Sequence, residues 1–250
     1  MHQYLFFIGN FPIRLYGIFF SLGIISGCIT AYFLLKKDRR GWESHMFDLG
    51  LVIAFAGIVG GRLWDVFFFD WEYYHNHLLE IPYIWQGGMA IQGGIIFACI
   101  AAYFYLKKHQ TPVLPFADTV TPGIILGQAI GRIANFMNGD AFGHPTGQDF
   151  GLLYPDTTLA YHTYGAQPLW PAEVWECQGD LLIFVLLLWY GCKTRAEGTT
   201  FCLYIMFYSL LRFFLENYRG DYGTLALGLK SAQLTSLAAF AGAFILFLYF

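Results

Sequence analysis

Seven stretches of mostly apolar residues, each about 20 residues long, dominate this chain. A helix of that length spans the hydrocarbon core of a bilayer. With 57% hydrophobic and 12% charged residues, a water-soluble fold of 250 residues could not cover so much apolar surface. The sequence therefore predicts an all-α fold, a single polytopic membrane domain over residues 1–250 with about seven transmembrane helices. The predicted spans are 14–35, 47–69, 88–106, 117–136, 172–191, 199–217 and 229–249.

Lysine and arginine are concentrated in the connections that follow the first, third and fifth spans. The connections 70–87 and 137–171 contain neither residue type. Since basic loops stay in the cytoplasm, we expect the N-terminus outside and the C-terminus in the cytoplasm. The long connection 137–171, between spans four and five, is then a loop or head region on the outer face. The basic residues of the three connections are Lys36, Lys37, Arg39, Arg40, Lys107, Lys108, Lys193 and Arg195.

The composition also argues against two classes of partner. A formal net charge of -3 offers no basic surface, so no nucleic acid is expected to bind. The cysteines include no CxxC pair, and the histidines lie outside the apolar spans. The spacing His75-Asn76-His77 fits no common metal site, so no metal is expected.

Four arginines lie within or at the edge of the predicted spans: Arg14, Arg62, Arg132 and Arg212. A charge at the centre of a bilayer costs about 2.5–3.5 kcal/mol on insertion scales, so each needs a partner or a function. Arg14 is close enough to the outer surface for its side chain to reach water. Arg62 has Asp65 three residues later on the same helix face, and a structural ion pair is one interpretation.

Arg132 and Arg212 are the strongest candidates for binding an anion. Arg212 shares a helix face with Tyr208 and Glu216, whereas Arg132 has Asn135 nearby and no acid one turn away. We therefore expect the Arg132 guanidinium to be unpaired and open to an external anion. The anion that a membrane supplies is lipid phosphate, which matches the planar fork of a guanidinium. The two arginines are predicted to form a phosphate clamp, with purely structural ion pairing as the alternative.

The segment 131–143, GRIANFMNGDAFG, resembles the signature of the prolipoprotein diacylglyceryl transferases. That signature runs Gly-Arg, then Asn-Phe, then Asn, an acid and a final Gly, at the spacing found here. The resemblance extends along nearly the whole chain. The other similar elements are Arg14 to Gly17, Gly60 to Arg62, Gly87 to Gly94, Pro171 to Glu176, Tyr208 to Arg219 and Gln233.

The resemblance implies an enzyme that needs no cofactor. Members of this family move a diacylglyceryl group from phosphatidylglycerol to the cysteine thiol in the lipobox of a preprolipoprotein signal peptide. The products are a thioether and glycerol phosphate. The reaction takes place at the outer side of the bacterial cytoplasmic (inner) membrane, so the implied partners are membrane phosphatidylglycerol and the preprolipoprotein.

The resemblance also implies roles for individual residues. The catalytic candidates are Arg132, Arg212, Tyr16 and Gln92, with Tyr16 as a hydrogen-bond donor and Gln92 in the cavity wall. Because stabilising the leaving phosphate is commonly the largest catalytic term, we treat the arginines as primary and a general base as optional. Glu216 is expected to orient Arg212, and Gly143 to permit close backbone approach. The substrate-binding candidates are Arg132, Asn135, Asn138, Asp140, Gly143, Arg62, Tyr208 and Glu216.

Three positions depart from the family pattern. Gln92 stands where the family usually has a His regarded as catalytic, Trp170 replaces a usual His, and Asp140 replaces a usual Glu. Glutamine cannot take a proton at neutral pH, so a histidine base at this position is not expected, and the identity of any general base stays open. Two alternatives therefore stay open: a related transferase with another lipid donor or acceptor, and a non-enzymatic transporter of anions or lipids.

Overall fold

The computed structural model describes residues 4–8, 11–191, 196–221, 223 and 228–250. Lys193 and Arg195, used above for the orientation, lie outside these residues. Within them the chain forms a two-stranded antiparallel hairpin and nine α-helices, joined by short 3-10 and π turns. The elements are β1 (Tyr4–Ile8), β2 (Phe11–Arg14), α1 (Leu15–Asp38), α2 (Met46–Trp64), α3 (Trp71–Tyr74), α4 (Ile91–Lys108), α5 (Val113–Asn138), α6 (Leu159–Tyr164), α7 (Ala172–Gly191), α8 (Thr199–Leu215) and α9 (Ser231–Tyr249).

Each predicted span coincides with a long helix, but not every one of these helices is equally apolar. Within the described residues, five helical segments are long and apolar enough to cross a membrane. They are Leu15–Asp38, Trp42–Phe69, Val113–Asn138, Thr199–Tyr218 and Ser231–Tyr249. The other two, α4 and α7, are diluted by the lysines at the end of α4 and by three acidic residues in α7. The chain is thus a helical, polytopic membrane protein.

The N-terminal hairpin was not predicted. Arg14, placed at the start of the first span, is the last residue of β2 and is exposed. Its guanidinium lies 6.0 Å from the centroid of the Tyr4 ring on the paired strand. Arg14 therefore precedes the first membrane helix, and no burial cost has to be explained for it.

The chain divides into two compact units, which are described separately. The larger comprises Met1–Leu34 and Ala117–Phe250. In it, α1 approaches α5 so closely that a Cβ on Gly23 would lie 2.8 Å from the Gly127 carbonyl oxygen. Helix α7 packs on α8, and α8 packs on α9. This close packing keeps the polar side chains of α5, α7 and α8 within reach of one another.

The smaller unit comprises Leu35–Phe116 and is built on the packing of α2 against α4. A Cβ on Gly60 would lie 2.5 Å from the Gly93 carbonyl oxygen, so the absence of side chains permits this contact.

The connection between α5 and α7, residues 139–171, is a folded segment that we call the head segment. Its core consists of Phe142, Tyr154, Ala160 and Leu169, which are all buried. Leu169 forms isolated β-bridges with Pro145 and Leu152, so the polypeptide folds back on itself. The head segment thus has a small core of its own above the ends of α5 and α7.

Candidate functional site

Three helices of the larger unit bring charged side chains together around one carboxylate. Glu176 of α7 is fully buried. Its Oε1 lies 2.6 Å from Arg132 Nη2 on α5, and its Oε2 lies 3.2 Å from Arg212 Nη1 on α8. Arg132 and Arg212, which are 80 positions apart, therefore meet at the two oxygens of a single side chain.

Two further groups complete this arrangement. Glu216 Oε2 lies 2.8 Å from Arg212 Nη2, one helical turn away. Arg219 Nη1 lies 3.5 Å from Glu176 Oε2, and the Arg219 guanidinium also pairs with Asp221. We call the five residues Arg132, Arg212, Arg219, Glu176 and Glu216 the guanidinium cluster.

Tyr208 links the arginine of α5 to the carboxylate of α7. Its hydroxyl accepts a hydrogen bond from Arg132 Nη2 at 3.2 Å and donates to Glu176 Oε1 at 3.4 Å. A hydroxyl suits this position because it can be donor and acceptor at once. The position of the Arg132 side chain is therefore fixed from two directions.

Two of the three arginines of the cluster are partly exposed, whereas both of its carboxylates are fully buried. The side chains of Arg132 and Arg212 are 19% and 14% exposed, whereas those of Glu176 and Glu216 are 0% exposed. Burying a carboxylate is costly unless cations surround it, and here they do. The cluster consequently turns positive charge towards its accessible side, where an anion would first meet a guanidinium.

The polar residues of segment 131–143 bond to one another. Arg132 Nη1 donates to Asn135 Oδ1 at 3.3 Å, and Asn135 Nδ2 donates to Asp140 Oδ1 at 2.9 Å. Asn138 Nδ2 donates to the other Asp140 oxygen at 3.2 Å. The Tyr16 phenol lies within electrostatic range of Asp140 and Arg132. The end of α5 is thereby tied to Arg132 through a continuous polar network.

Gly143 lies where the head segment meets the end of α8. It forms a β-bridge with Arg219, and the neighbouring Phe142 carbonyl accepts a hydrogen bond from Gly220 N at 3.0 Å. A Cβ on Gly143 would collide with the Trp170 backbone. The absence of a side chain lets the head segment hold Arg219 against the cluster.

A groove of about 300 Å³ opens between α5 and α7. One wall carries Arg132 and the other carries Glu173, while the remaining lining is largely apolar. Its lining residues are Arg132, Ile133, Phe136, Glu173, Val174, Cys177 and Gln178. Apolar walls with a few polar groups are typical of a ligand-binding groove.

The two remaining predicted site residues belong to the smaller unit. Gln92 is the second residue of α4 and is exposed. Arg62 is buried, and its guanidinium is fully engaged within that unit. It donates to the carbonyl oxygens of Glu80, Ile81, Gly87 and Gly88, at 2.6 to 3.1 Å. The predicted roles of Gln92 and Arg62 at the reaction site stay predictions.

One sequence-based expectation about this cluster is wrong. Arg132 was expected to be unpaired, but Glu176 on another helix pairs with it. Local spacing finds only acids on the same helix, so it could not identify this partner. A usable signal existed, because Glu173, Glu176 and Asp180 recur at i, i+3 and i+7 within an otherwise apolar helix. Arg219, which follows the sixth predicted span, is buried as well.

The fold and the cluster define a helical membrane protein with ionisable residues inside its spans, and such residues usually belong to a functional site. Comparison with known proteins identifies the family. The model of the family described as "Prolipoprotein diacylglyceryl transferase" matches residues 3–249. The chain belongs to the prolipoprotein diacylglyceryl transferase family and is an enzyme, a multi-pass protein of the bacterial inner membrane.

Relatives from three genera support this assignment. All are named phosphatidylglycerol–prolipoprotein diacylglyceryl transferase. The relative from Clostridium botulinum strain Langeland is 35% identical over 238 residues, covering 95% of this chain and 92% of its own. The relative from Staphylococcus saprophyticus is 35% identical, with 92% and 82% coverage. The relative from Geobacillus kaustophilus is 36% identical, with 92% and 85% coverage.

Proposed function

We propose that this protein transfers the diacylglyceryl group of phosphatidylglycerol to the lipobox cysteine of a preprolipoprotein. The observation that carries the proposal is the meeting of Arg132 and Arg212 at Glu176, with both guanidinium groups partly exposed. The names of the relatives, which specify phosphatidylglycerol and prolipoprotein, support the choice of both substrates.

The lipid phosphate binds to Arg132 and Arg212 on the accessible side of the cluster. Guanidinium has five N–H donors, so pairing with Glu176 leaves donors available on each arginine. Among the described residues, Arg132 Nε is buried and bonds to no acceptor. Such a donor is costly to leave unsatisfied, and a bound phosphate oxygen would satisfy it.

In the reaction, a carbon–sulfur bond replaces a carbon–oxygen bond. The cysteine sulfur forms a bond to the terminal glycerol carbon of the diacylglyceryl group, and the bond from that carbon to the phosphate oxygen breaks. The electron pair passes to the phosphate, so glycerol phosphate leaves with one more negative charge. Preorganised guanidinium groups stabilise this developing charge, commonly the largest contribution to such catalysis.

The remaining site residues hold the arginines in place. Tyr208 orients Arg132, and Glu216 orients Arg212. Because both arginines are already held in place, they lose less side-chain entropy when phosphate binds. Asn135, Asn138 and Asp140 form the network that anchors the Arg132 end of α5, and Tyr16 borders it. For Arg62, whose guanidinium bonds to backbone carbonyls, we propose the structural role that its sequence spacing leaves open, and the catalytic role of Gln92 stays a prediction.

The proposed topology has seven membrane spans, with α4 and α7 added to the five most apolar helices. The three acids of α7 do not oppose this proposal, because all three are buried within the protein and Glu176 is paired with arginines of neighbouring helices. The N-terminus and the head segment then face outward, and the C-terminus faces the cytoplasm. In a cysteine-free background, an impermeant maleimide should label Gln148→Cys but not Lys36→Cys in intact cells. The reverse labelling would contradict this orientation.

The transfer itself is tested with purified protein, phosphatidylglycerol vesicles and a lipobox peptide. Arg132→Lys and Arg212→Lys keep the charge but lose the planar fork, and each should lower the transfer rate about 10²-fold or more. Lys108→Ala, at the end of α4 among the exposed residues, is the matched control and should retain the wild-type rate. Wild-type turnover by either arginine variant would refute the clamp.

The departures at Gln92 and Trp170 make the choice of donor worth a separate measurement. The same assay is run with phosphatidylethanolamine, cardiolipin or phosphatidylglycerol as the only phospholipid. We expect thioether formation with phosphatidylglycerol. Turnover with another lipid alone would instead favour a related transferase of altered donor, and anion flux without lipid turnover would favour a transporter.

A further inference from the structure

The proposed reaction consumes a thiol but requires a thiolate, and a proton must therefore leave the sulfur. The usual family histidine is replaced by Gln92, which cannot accept it. A carboxylate near the arginines is an alternative acceptor. The inference developed here rests on the proposed function, because a transferred thiol proton exists only in that reaction.

Glu173 of α7 is held in the manner of a positioned base. It is fully buried in the first turn of the helix. The Tyr154 hydroxyl of the head segment donates a hydrogen bond to its Oε1. Its Oε2 is buried and, among the described residues, has no hydrogen-bond partner. One oxygen is thus fixed, while the other is left with an unused acceptor.

Glu173 also lies beside the proposed phosphate site. It lines the same groove as Arg132, which is on the opposite wall. The rest of that groove is formed largely by apolar side chains, such as Val174 and Phe136, which suit an uncharged thiol and a lipid. The groove is thus bordered by a carboxylate-bearing residue of α7 and by a guanidinium-bearing residue of α5.

We infer that Glu173 accepts the proton of the lipobox cysteine. The S–H bond breaks and its proton passes to Glu173 Oε2, while the sulfur electron pair forms the bond to the glycerol carbon. The bond from that carbon to the phosphate oxygen breaks, and its electron pair leaves with glycerol phosphate beside Arg132. Glu173 then returns its proton to the departing phosphate, which restores the carboxylate and balances the cycle.

The groups around Glu173 are compatible with this cycle. Tyr154 donates to the carboxylate, and Arg219 and Asp140 interact with it electrostatically, with opposite effects. Burial, together with the neighbouring Glu173 charge, raises the pKa of the Tyr154 phenol well above its ordinary value. Tyr154 therefore remains a hydrogen-bond donor to the carboxylate throughout the working pH range and does not compete for the thiol proton.

Asp180 and His144 of the larger unit could also accept a proton, and the structure favours them less. Asp180 is buried and, within the described part of the chain, neither of its oxygens has a hydrogen-bond partner, but it is not among the residues that line the groove. His144 has Nδ1 2.9 Å from the Pro145 carbonyl oxygen and is likewise absent from the groove lining. Of these three residues, only Glu173 lines the groove that Arg132 also lines.

The test is the pH dependence of transfer by Glu173→Gln, which keeps the shape of the side chain and removes its basicity. We expect a loss of about 10²–10⁴-fold in turnover and disappearance of the acid limb of the wild-type pH profile. A lipobox peptide with selenocysteine in place of cysteine should recover most of this loss, since a selenol is already ionised at neutral pH. A merely structural defect would not be recovered by that peptide.

The controls separate this inference from the proposed function. Failure of the wild-type protein to transfer lipid to the cysteine peptide would refute the function itself. If the wild type is active but Glu173→Gln retains its rate and acid limb, the inference is wrong and the function stands. If the acid limb of the pH profile is lost in Asp180→Asn or in His144→Asn but kept in Glu173→Gln, the residue whose substitution removes the limb is the proton acceptor.

A second variant covers the case in which Glu173→Gln does not fold. Tyr154→Phe leaves the carboxylate but removes a hydrogen bond that stabilises its charged form. The acid limb should then move to higher pH, with the loss of rate greatest on the acid side. An unmoved limb in folded Tyr154→Phe would overturn the inference.

Discussion

The two units of the chain each bury arginine, and they neutralise it in different ways. In the smaller unit the Arg62 side chain is 4% exposed and bonds to four backbone carbonyls, with the Asp65 carboxylate 4.0 Å away. In the larger unit Arg132 and Arg212 are several times more exposed and pair with the carboxylate of Glu176. An arginine side chain therefore has all its nitrogen atoms engaged in the smaller unit, whereas in the larger unit it is partly exposed.

This difference separates a structural arginine from a ligand-binding one. Arg62 connects α2 to the segment 80–88, and its Cζ also lies 4.9 Å from the Tyr74 ring centroid. Its donors are used, so it offers little to a substrate. Arg132 Nε has no hydrogen-bond partner in the part of the chain that the structure describes, and Arg132 lines a groove and pairs with a carboxylate that is itself inaccessible. Burial alone does not identify a functional arginine, whereas a partly exposed side chain with an unsatisfied donor is a stronger indication.

The largest expected effect comes from Glu176→Gln, which removes the charge shared by the arginines. The guanidinium groups would then repel one another, and we expect a loss of about 3–5 kcal/mol in the free energy of unfolding. Lipid transfer should be lost together with stability. Chemical unfolding in detergent measures the change, and a loss below about 1 kcal/mol would mean that Glu176 does not hold the cluster together.

Arg62→Ala should destabilise the protein without impairing the chemistry. Carbonyl oxygens left without their donor cost about 1–3 kcal/mol. Turnover per folded molecule should stay at the wild-type level, and Arg62→Lys should recover part of the stability. The comparison between the units fails if folded Arg62→Lys loses transfer as severely as Arg132→Lys.

A smaller effect is expected from Tyr208→Phe. This change removes the hydroxyl that accepts from Arg132 and donates to Glu176, while both ionic partners remain. The loss of a typical hydrogen bond, about 1 kcal/mol, corresponds to roughly a fivefold lower rate of transfer. The rate of lipid transfer at saturating phosphatidylglycerol measures this effect. A loss as large as that of the arginine variants would make Tyr208 a participant in the chemistry.

The smallest effect is expected from Gln92→His, which restores the usual family residue. If Glu173 already accepts the proton, a second base adds little, and the rate should stay within about threefold of wild type. Transfer to the lipobox peptide at neutral pH provides the measurement. A large gain would show that the natural glutamine limits the reaction.

The sequence predicted the helical part of the fold well because lipid exposure demands long apolar runs. Every long helix lies under one of the predicted spans, with ends displaced by a few residues. The hairpin of β1 and β2 was missed because its strands are short and adjoin the first apolar run. The core of the head segment was also missed, since Phe142 and Leu169 come together through irregular backbone that carries no periodicity.

The contacts of the candidate site also fall into two groups, those that the sequence predicted and those that it did not. Contacts within one helix, such as Arg212 with Glu216, follow directly from spacing and were predicted. Contacts between helices, such as Arg132 with Glu176, depend on which faces pack together, and spacing on one helix cannot reveal that. The buried acids of α7 show that acidic residues in an apolar helix deserve the same scrutiny as arginines.

The central claim is that Arg132 and Arg212 bind the phosphorylated headgroup, whereas Arg62 does not. Native mass spectrometry of the detergent-solubilised protein measures retained phosphatidylglycerol directly. The account predicts that the wild type and Arg62→Lys retain the lipid, while Arg132→Lys and Arg212→Lys lose it. Equal retention by all four proteins, or loss confined to Arg62→Lys, would contradict it.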